Sequence, residues 1–130
     1  MGAFDTLAIA GSSMGVHQTW LDVLASNIAN VNTVTPTSQS AFQAQMLIVR
    51  SAVGGGVEVA GLAQSDPQGR LVSDPGNPIA DADGYVRAPD MDMSTQMTQL
   101  VMAQRGFQAS VQVTKQAQET YAAALQIGRA

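Results

Sequence analysis

The sequence predicts an α+β chain: two long helices, one at each end, enclose a small β-rich middle part. Three observations carry this expectation. Proline is absent from residues 5–31 and from 93–127, while all five prolines and seven of the 12 glycines fall between 32 and 92. Apolar residues in both terminal segments recur at alternating steps of three and four, the spacing of a helix face. Of the sixteen formal charges, ten lie in the middle part, which marks it as the portion that faces water. At 130 residues the chain is long enough for one core and too short for two. The expected division is therefore 1–31, 32–92 and 93–130, with shared packing.

In the first segment the seam runs through Leu7, Ala10, Met14, Leu21, Leu24, Ile28 and Val31. The one gap, at His17, keeps the seven-residue sum of a coiled-coil line. Asp5 is the expected N-cap, and Asn27, Asn30, Asn32 and then Thr33–Pro36 end the helix near Val31.

In the middle part, short apolar runs at 46–49, 57–59, 71–72 and 85–86 are separated by Gly54-Gly55-Gly56, Asp66-Pro67, Asp74-Pro75-Gly76-Asn77-Pro78 and Asp83-Gly84. Such punctuation predicts a few short strands, in one twisted sheet or a pair of hairpins.

The last segment repeats the helical spacing with Met93, Met97, Leu100, Phe107, Val111, Tyr121 and Leu125. Asp92 is its expected N-cap, and Gly128 is expected to end it in a left-handed turn. A second stripe, Gly106, Ser110, Val113, Ala117, Ala124 and Ile127, follows another face, so two faces want partners.

Charge density identifies those partners. Residues 5–31 carry two charges and residues 93–127 carry three, where a solvated helix carries several times more. Their remaining faces are Ser, Thr, Gln, Asn, Ala and Gly, which allow close helix approach without desolvating charge. One helix pair cannot surround itself, so copies or related chains must do so. The expected function is that of a structural subunit and not an enzyme.

Other classes fit poorly. A net charge of −4 with no Lys/Arg cluster argues against nucleic acid, and nothing points to a small-molecule substrate or a cofactor. With no cysteine, disulfides, zinc-thiolate sites and thiol chemistry are excluded. Residues 1–10 hold no basic residue or long apolar run, so they do not read as a cleaved secretory signal. The longest apolar runs fall far short of the roughly 20 residues of a membrane span.

The acidic group Asp81, Asp83, Asp90 and Asp92 is the one candidate for chemistry, as a metal-binding or hydrolytic site. Against a calcium loop, the sixth position is Val86 where glycine is needed, and the last is Asp92 where a bidentate Glu belongs. Turns and an N-cap account for these residues more simply. His17 has no nucleophile beside it in sequence and reads as a polar seam residue that fixes helix register. Gly54-Gly55-Gly56 lacks the Lys-Ser/Thr of a phosphate loop and reads as a flexible turn. Met91, Met93, Met97 and Met102 at helical spacing read as packing, and Trp20 as a buried or interfacial anchor.

Two stretches resemble a known family. Ala25-Ser26-Asn27-Ile28-Ala29-Asn30-Val31-Asn32-Thr33 is similar to the N-terminal signature of bacterial flagellar axial proteins of the rod and hook. Asp74-Pro75-Gly76-Asn77-Pro78-Ile79-Ala80-Asp81, then Gly84-Tyr85-Val86-Arg87, Pro89, Asp92 and Arg105-Gly106-Phe107-Gln108-Ala109-Ser110, resembles the FlgC family of proximal rod proteins. The resemblance covers essentially the whole chain. It implies export through the flagellar type III apparatus without a cleaved signal, and location in the basal body within the cell envelope. It further implies helical assembly with itself and other rod proteins, contact with export-gate and membrane-ring components below and the distal rod above, and a role in a torque-transmitting shaft and export channel wall. The terminal helices would form the inner tube and the middle part a small outer domain. The expected assembly contacts are Leu7, Met14, Leu21, Leu24, Asn27, Ile28, Asn30 and Val31 on the first helix. On the second they are Met97, Leu100, Phe107, Val111, Tyr121 and Leu125.

Overall fold

In the computed structural model, which describes residues 2–129, helix α1 (Ala3–Ala29) is followed by strands β1 (Gln45–Ser51), β2 (Val57–Gln64), β3 (Arg70–Ser73) and β4 (Tyr85–Ala88), and then by helix α2 (Met93–Ile127). The α+β architecture expected from the sequence is present. Of the two middle-part arrangements, the structure has the pair of hairpins: β1 pairs antiparallel with β2, and β3 with β4.

α1 starts two residues before Asp5. The cap is Gly2, and Asp5 sits in the first turn, where its Oδ2 accepts from the Gly2 amide at 2.9 Å. The carboxylate still serves the positive end of the helix, from inside the helix and not from the cap. The helix ends at Ala29, two residues short of Val31, with the Asn30 amide donating to the Asn27 carbonyl at 3.1 Å and the Val31 amide to the Ile28 carbonyl at 3.3 Å. α2 begins as expected, with Asp92 Oδ2 accepting from the Thr95 amide at 2.8 Å. Its end differs: Gly128 has φ −71° and continues the right-handed turn, so the helix runs out without a reversal.

The two helices lie antiparallel along their length. Contacts progress from Phe4 against Tyr121, with ring centroids 5.0 Å apart, through Ser13 Oγ to Ser110 Oγ at 2.9 Å, to Asn27 Nδ2 donating to Gln96 Oε1 at 2.9 Å. At 1.5 Å per residue, α1 spans about 40 Å and α2 about 52 Å. The last turns of α2, beyond Tyr121, have no opposite number on α1.

The β1–β2 hairpin bends at a bulge, where Ile48 pairs with Gly61 and Val49 with Val59, leaving Ala60 as the extra residue. Its glycine turn is seated on α1. The Val57 amide donates to Ser12 Oγ at 3.1 Å, and Gly56, at φ 86°, lies so close to that hydroxyl that a Cβ would meet it at 2.4 Å. All three glycines have positive φ, and Gly55 and Gly56 lie against Ile9 and Ser12, so the turn is docked on α1. The β3–β4 hairpin has a small core of its own: Val86 is fully buried, with Ala41, Ala88 and Pro89. Thr35 bridges to Arg87 and widens it.

Candidate assembly interface

The seam between the helices is lined by polar and small side chains more than by large apolar ones. Leu24, 1% exposed, is buried on α1 with Ala10, Val16 and Val23, and Val31 is buried just past the helix end. On α2 the buried residues are Gln96, Ala103 and Ser110, a line of seven-residue steps that puts all three on one face. Asn27 is the joint. Its Oδ1 accepts from the Gln45 amide at 2.9 Å, and its Nδ2 donates to the Gln45 carbonyl and to Gln96 Oε1, both at 2.9 Å. A buried amide with both donors and its oxygen paired adds specificity without the penalty of an orphaned polar atom. This one fixes α1, β1 and α2 to a single register.

About three turns away along the seam, His17 Nδ1 donates to the Ser13 carbonyl at 2.7 Å, and its ring lies on Gly106. A Cβ at Gly106 would stand 2.2 Å from His17 Nε2, so the close approach of the helices here depends on a residue without a side chain. His17 thus occupies the seam position that its place in the heptad line implied, and Gly106 is its complement.

The residues expected to make assembly contacts divide by helix. On α1, Leu24, Asn27 and Val31 are buried and Leu7, Met14, Leu21, Ile28 and Asn30 are half-buried, so that stripe lies against the rest of the chain. On α2, Leu100, Phe107 and Tyr121 are half-buried, whereas Met97 (44%), Val111 (37%) and Leu125 (53%) stand exposed. Ranking by hydrophobicity missed Gln96 and Ala103. The signal that finds them is the regular seven-residue spacing of Gln96, Ala103, Ser110 and Ala117.

Further apolar side chains stay open to solvent: Met102 at 57%, Val113 at 48% and Ile127 at 78% on α2, and Met46, Ile48 and Leu62 on the first hairpin. Trp20 is half-buried beside an open groove of about 630 Å³ between α1, α2 and the β1–β2 hairpin, with Met46 and Met102 on the same rim. The total accessible surface is 8255 Å², against roughly 6,500 Å² for a compact monomer of this mass.

The acidic group does not converge on a ligand. Asp81 Oδ1 accepts from the Asp83 and Tyr85 amides at 3.0 and 2.9 Å, and its Oδ2 from the Thr37 hydroxyl at 3.0 Å. The Tyr85 amide above all, with the Thr37 hydroxyl and the Asp83 amide, holds this carboxyl below its ordinary range. Asp92, as the α2 cap, is lowered first by the Thr95 amide and then by the Thr95 hydroxyl. Among the described residues no group of three His, Asp or Glu could hold a metal ion, and no helix is long and apolar enough to cross a membrane.

Two sequence families match the chain: "Flagella basal body rod protein" over residues 7–37 and "Flagellar basal body rod FlgEFG protein C-terminal" over residues 82–127. The chain is 37% identical to the flagellar basal-body rod protein FlgC of Salmonella typhimurium, with 87% of this chain and 88% of that one covered. It is 38% identical to FlgC of Escherichia coli O157:H7 over the same shares. Against FlgC of Bacillus subtilis the identity is 27%, with 99% and 100% covered.

Proposed function

The chain belongs to the FlgC family of flagellar basal-body rod proteins and is a structural subunit of the basal-body rod; from this premise we propose that it builds the proximal part of that rod, helically packed with itself and with other rod proteins. The observation that carries the reading is the unfinished surface of the terminal helices. Burying Met97, Val111, Leu125, Met102 and Ile127, all open in the single chain, stabilises an assembly by about 25 cal/mol per Å² of apolar surface removed from water. With only Arg105, Lys115 and Glu119 charged between Met93 and Ile127, little charge opposes that burial.

In this reading, residues 1–31 and 93–130 form the inner, channel-lining wall and residues 32–92 an outer domain, because the middle part holds most of the charge. The subunit reaches its place through the flagellar type III export apparatus without losing a signal. It links export-gate and membrane-ring components to the distal rod and passes torque between them. The assembly contacts on the second stripe are its open members Met97, Val111 and Leu125, while the Leu7–Val31 stripe supports them from within the chain. Deletion of its gene in the source bacterium tests this. Cells should keep the membrane ring, lack a rod beyond it and fail to swim, and the chain supplied in trans should restore all three. Swimming cells with complete rods after deletion would overturn it.

A further inference from the structure

The β3–β4 hairpin stands apart from the other elements of the chain. No Cα of β3 or β4 comes within 8 Å of one in α1, α2, β1 or β2. The hairpin is held instead by the segments beside it. Thr35 and Arg87 exchange amide–carbonyl bonds at 2.9 and 2.8 Å, and the Ala41 amide donates to the Pro67 carbonyl at 2.8 Å. These contacts join residues 35–41 and 67–88 into one unit around Val86. The helices and the first hairpin form another. Its near end is fixed by Asn27 on Gln45 and by the Ser65 amide donating to the Ala44 carbonyl at 2.9 Å.

Between the two units lies a cleft of about 580 Å³. Arg70, the first residue of β3, borders it on the hairpin side. Val31, Asp92 and Met93 border it at the helix ends, with Asp90 and Met91 of the connecting segment. Among the described residues no backbone hydrogen bond holds residues 89–91. The Asp92 carboxyl is lowered first by the Thr95 amide, and the charge of Arg70 adds to that effect. Arg70 nonetheless touches neither Asp90 nor Asp92: among the described residues the ion pair within 4.0 Å is Arg50–Glu58. Opposite charges thus flank an open cleft, and Met93 on its border is 40% exposed.

We propose that the β3–β4 unit is a hinged flap that swings on residues 31–35 and 89–91 to bring Arg70 onto Asp90 and Asp92, closing the cleft over Met91 and Met93. The structure holds the open position. A hinge of this kind needs only a few loop residues whose dihedral angles change, and 89–91 carry no backbone bond that must break. An ion pair at the surface is a shallow latch, so both positions stay populated and salt shifts the balance between them. A neighbouring charge that binds one position better shifts it likewise. The flap belongs to the single chain and does not depend on the rod reading.

The absence of cysteine from the chain makes the test direct. Ser26→Cys on α1 and Ser73→Cys on β3, both at exposed positions, carry a pair of spin labels on the isolated full chain. Distances between the labels are measured by pulsed electron-spin resonance at low and high salt, and circular dichroism melting checks that each variant is folded. Expected are two distance maxima. The share of the one favoured at low salt should fall about two- to fivefold, the range of an exposed ion pair, as the Debye length drops from about 30 Å at 0.01 M to about 3 Å at 1 M. Arg70→Gln should hold that share at its high-salt value throughout, with Asp90→Asn as the second variant if Arg70→Gln does not fold. Arg70→Glu combined with Asp90→Arg should restore the salt response. A single maximum that neither salt nor Arg70→Gln moves, or a salt response that survives Arg70→Gln unchanged, would overturn the flap.

Discussion

The helix pair and the middle hairpins solve opposite problems. In the helix pair the polar groups turn inward: Asn27, Gln96, His17, Ser13 and Ser110 join the helices, while Met97, Val111, Leu125 and Ile127 face out. In the middle part the polar groups close turns on the surface, with Asp81 binding the Asp83 and Tyr85 amides and Arg87 reaching the Gln68 and Thr37 carbonyls. The hairpin core, Val86 with Ala41 and Ala88, is small but complete. A polar seam is a weak source of stability and a strong source of register, because each buried amide or imidazole admits few partners. A subunit that must fit against neighbouring rod subunits gains from spending its apolar surface outside and its polar specificity inside. The β3–β4 hairpin does the reverse around Val86, whereas the β1–β2 hairpin leaves Met46, Ile48 and Leu62 open as α2 does its own apolar side chains.

The largest break in this contrast comes from the apolar part of the seam. Leu24 is 1% exposed, and its burial stabilises by about 1.5–3 kcal/mol. Leu24→Asp forfeits that and adds an unpaired buried charge worth several kcal/mol more, a large share of the ~5–15 kcal/mol that holds a domain together. Expected are loss of the cooperative unfolding transition by circular dichroism and non-motile cells in which the variant is still made and exported. A variant with native melting would mean that α1 does not present this face to α2.

The next test separates shape from polarity within the seam. Gly106→Ala places a methyl 2.2 Å from His17 Nε2, so the ring must move or the helices must part, at about 1–3 kcal/mol. In a His17→Ala background the obstacle is gone. The same substitution should then stabilise by up to about 1 kcal/mol, the ordinary helical advantage of alanine over glycine. Urea unfolding of the four proteins of this cycle measures the coupling. Equal effects in both backgrounds would show that the ring is not what Gly106 accommodates.

How much of this was legible beforehand depended on which force had decided each feature. The helices, their near-absence of charge, the turn positions and the Asp92 cap follow from local rules, and proline placement alone bounded the three segments within a few residues. The seam line on α2 was harder. Hydrophobic periodicity picks out Met97, Val111 and Leu125, but in a subunit with two kinds of neighbour the apolar line need not be the intrachain one. Gln96 and Ala103 entered the seam through the reach of the Asn27 amide and the need for close approach, neither of which a hydropathy scale records. The docked glycine turn was equally hidden, since its partner, Ser12, lies 44 residues before Gly56. Gly128 is in the right-handed region, at φ −71°, and is not the left-handed stop that its residue type suggested.

Acidification probes the middle part more than the helix seam. Asp81 and Asp92 both have carboxyls lowered in the folded chain, by the Tyr85 amide and the Thr95 amide respectively. A lowered folded pKa contributes stability that is present above the unfolded value, about 3.9 for aspartate, and lost as pH falls through the folded value. Below about pH 4 the Asp81 turn and the first turn of α2 should therefore loosen. Amide exchange at Tyr85 and Thr95 should quicken between pH 5 and pH 3 relative to Val23 and Leu24, after correction for intrinsic rates. Asp81→Asn keeps an acceptor but cannot titrate, so it should flatten the Tyr85 response and leave that of Thr95 intact. Parallel responses at all four amides would mean that acid acts on the whole fold and not on these caps.

The smallest expected effect shares the helix of the largest. Asp22 lies two residues before Leu24 and is exposed, accepting from Gln18 Nε2 at 3.1 Å. An exposed contact of this kind competes with water on equal terms and holds two side chains in one geometry, so little free energy depends on it. Asp22→Asn keeps an oxygen for Gln18 and should shift stability by only a few tenths of a kcal/mol. The isolated chain would barely register it. In the rod the same substitution reads the surroundings of that face. If it points to solvent, swimming and incorporation stay normal at all salt concentrations. If it meets a cation of a neighbouring subunit, the variant's rods should dissociate at lower salt than native ones, since screening acts on exposed pairs within about 10 Å at 0.1 M ionic strength. Rod yield across a salt series, native against Asp22→Asn, decides between them, and a clear loss in the salt series would place an assembly contact on the face of α1 away from the Leu7–Val31 stripe.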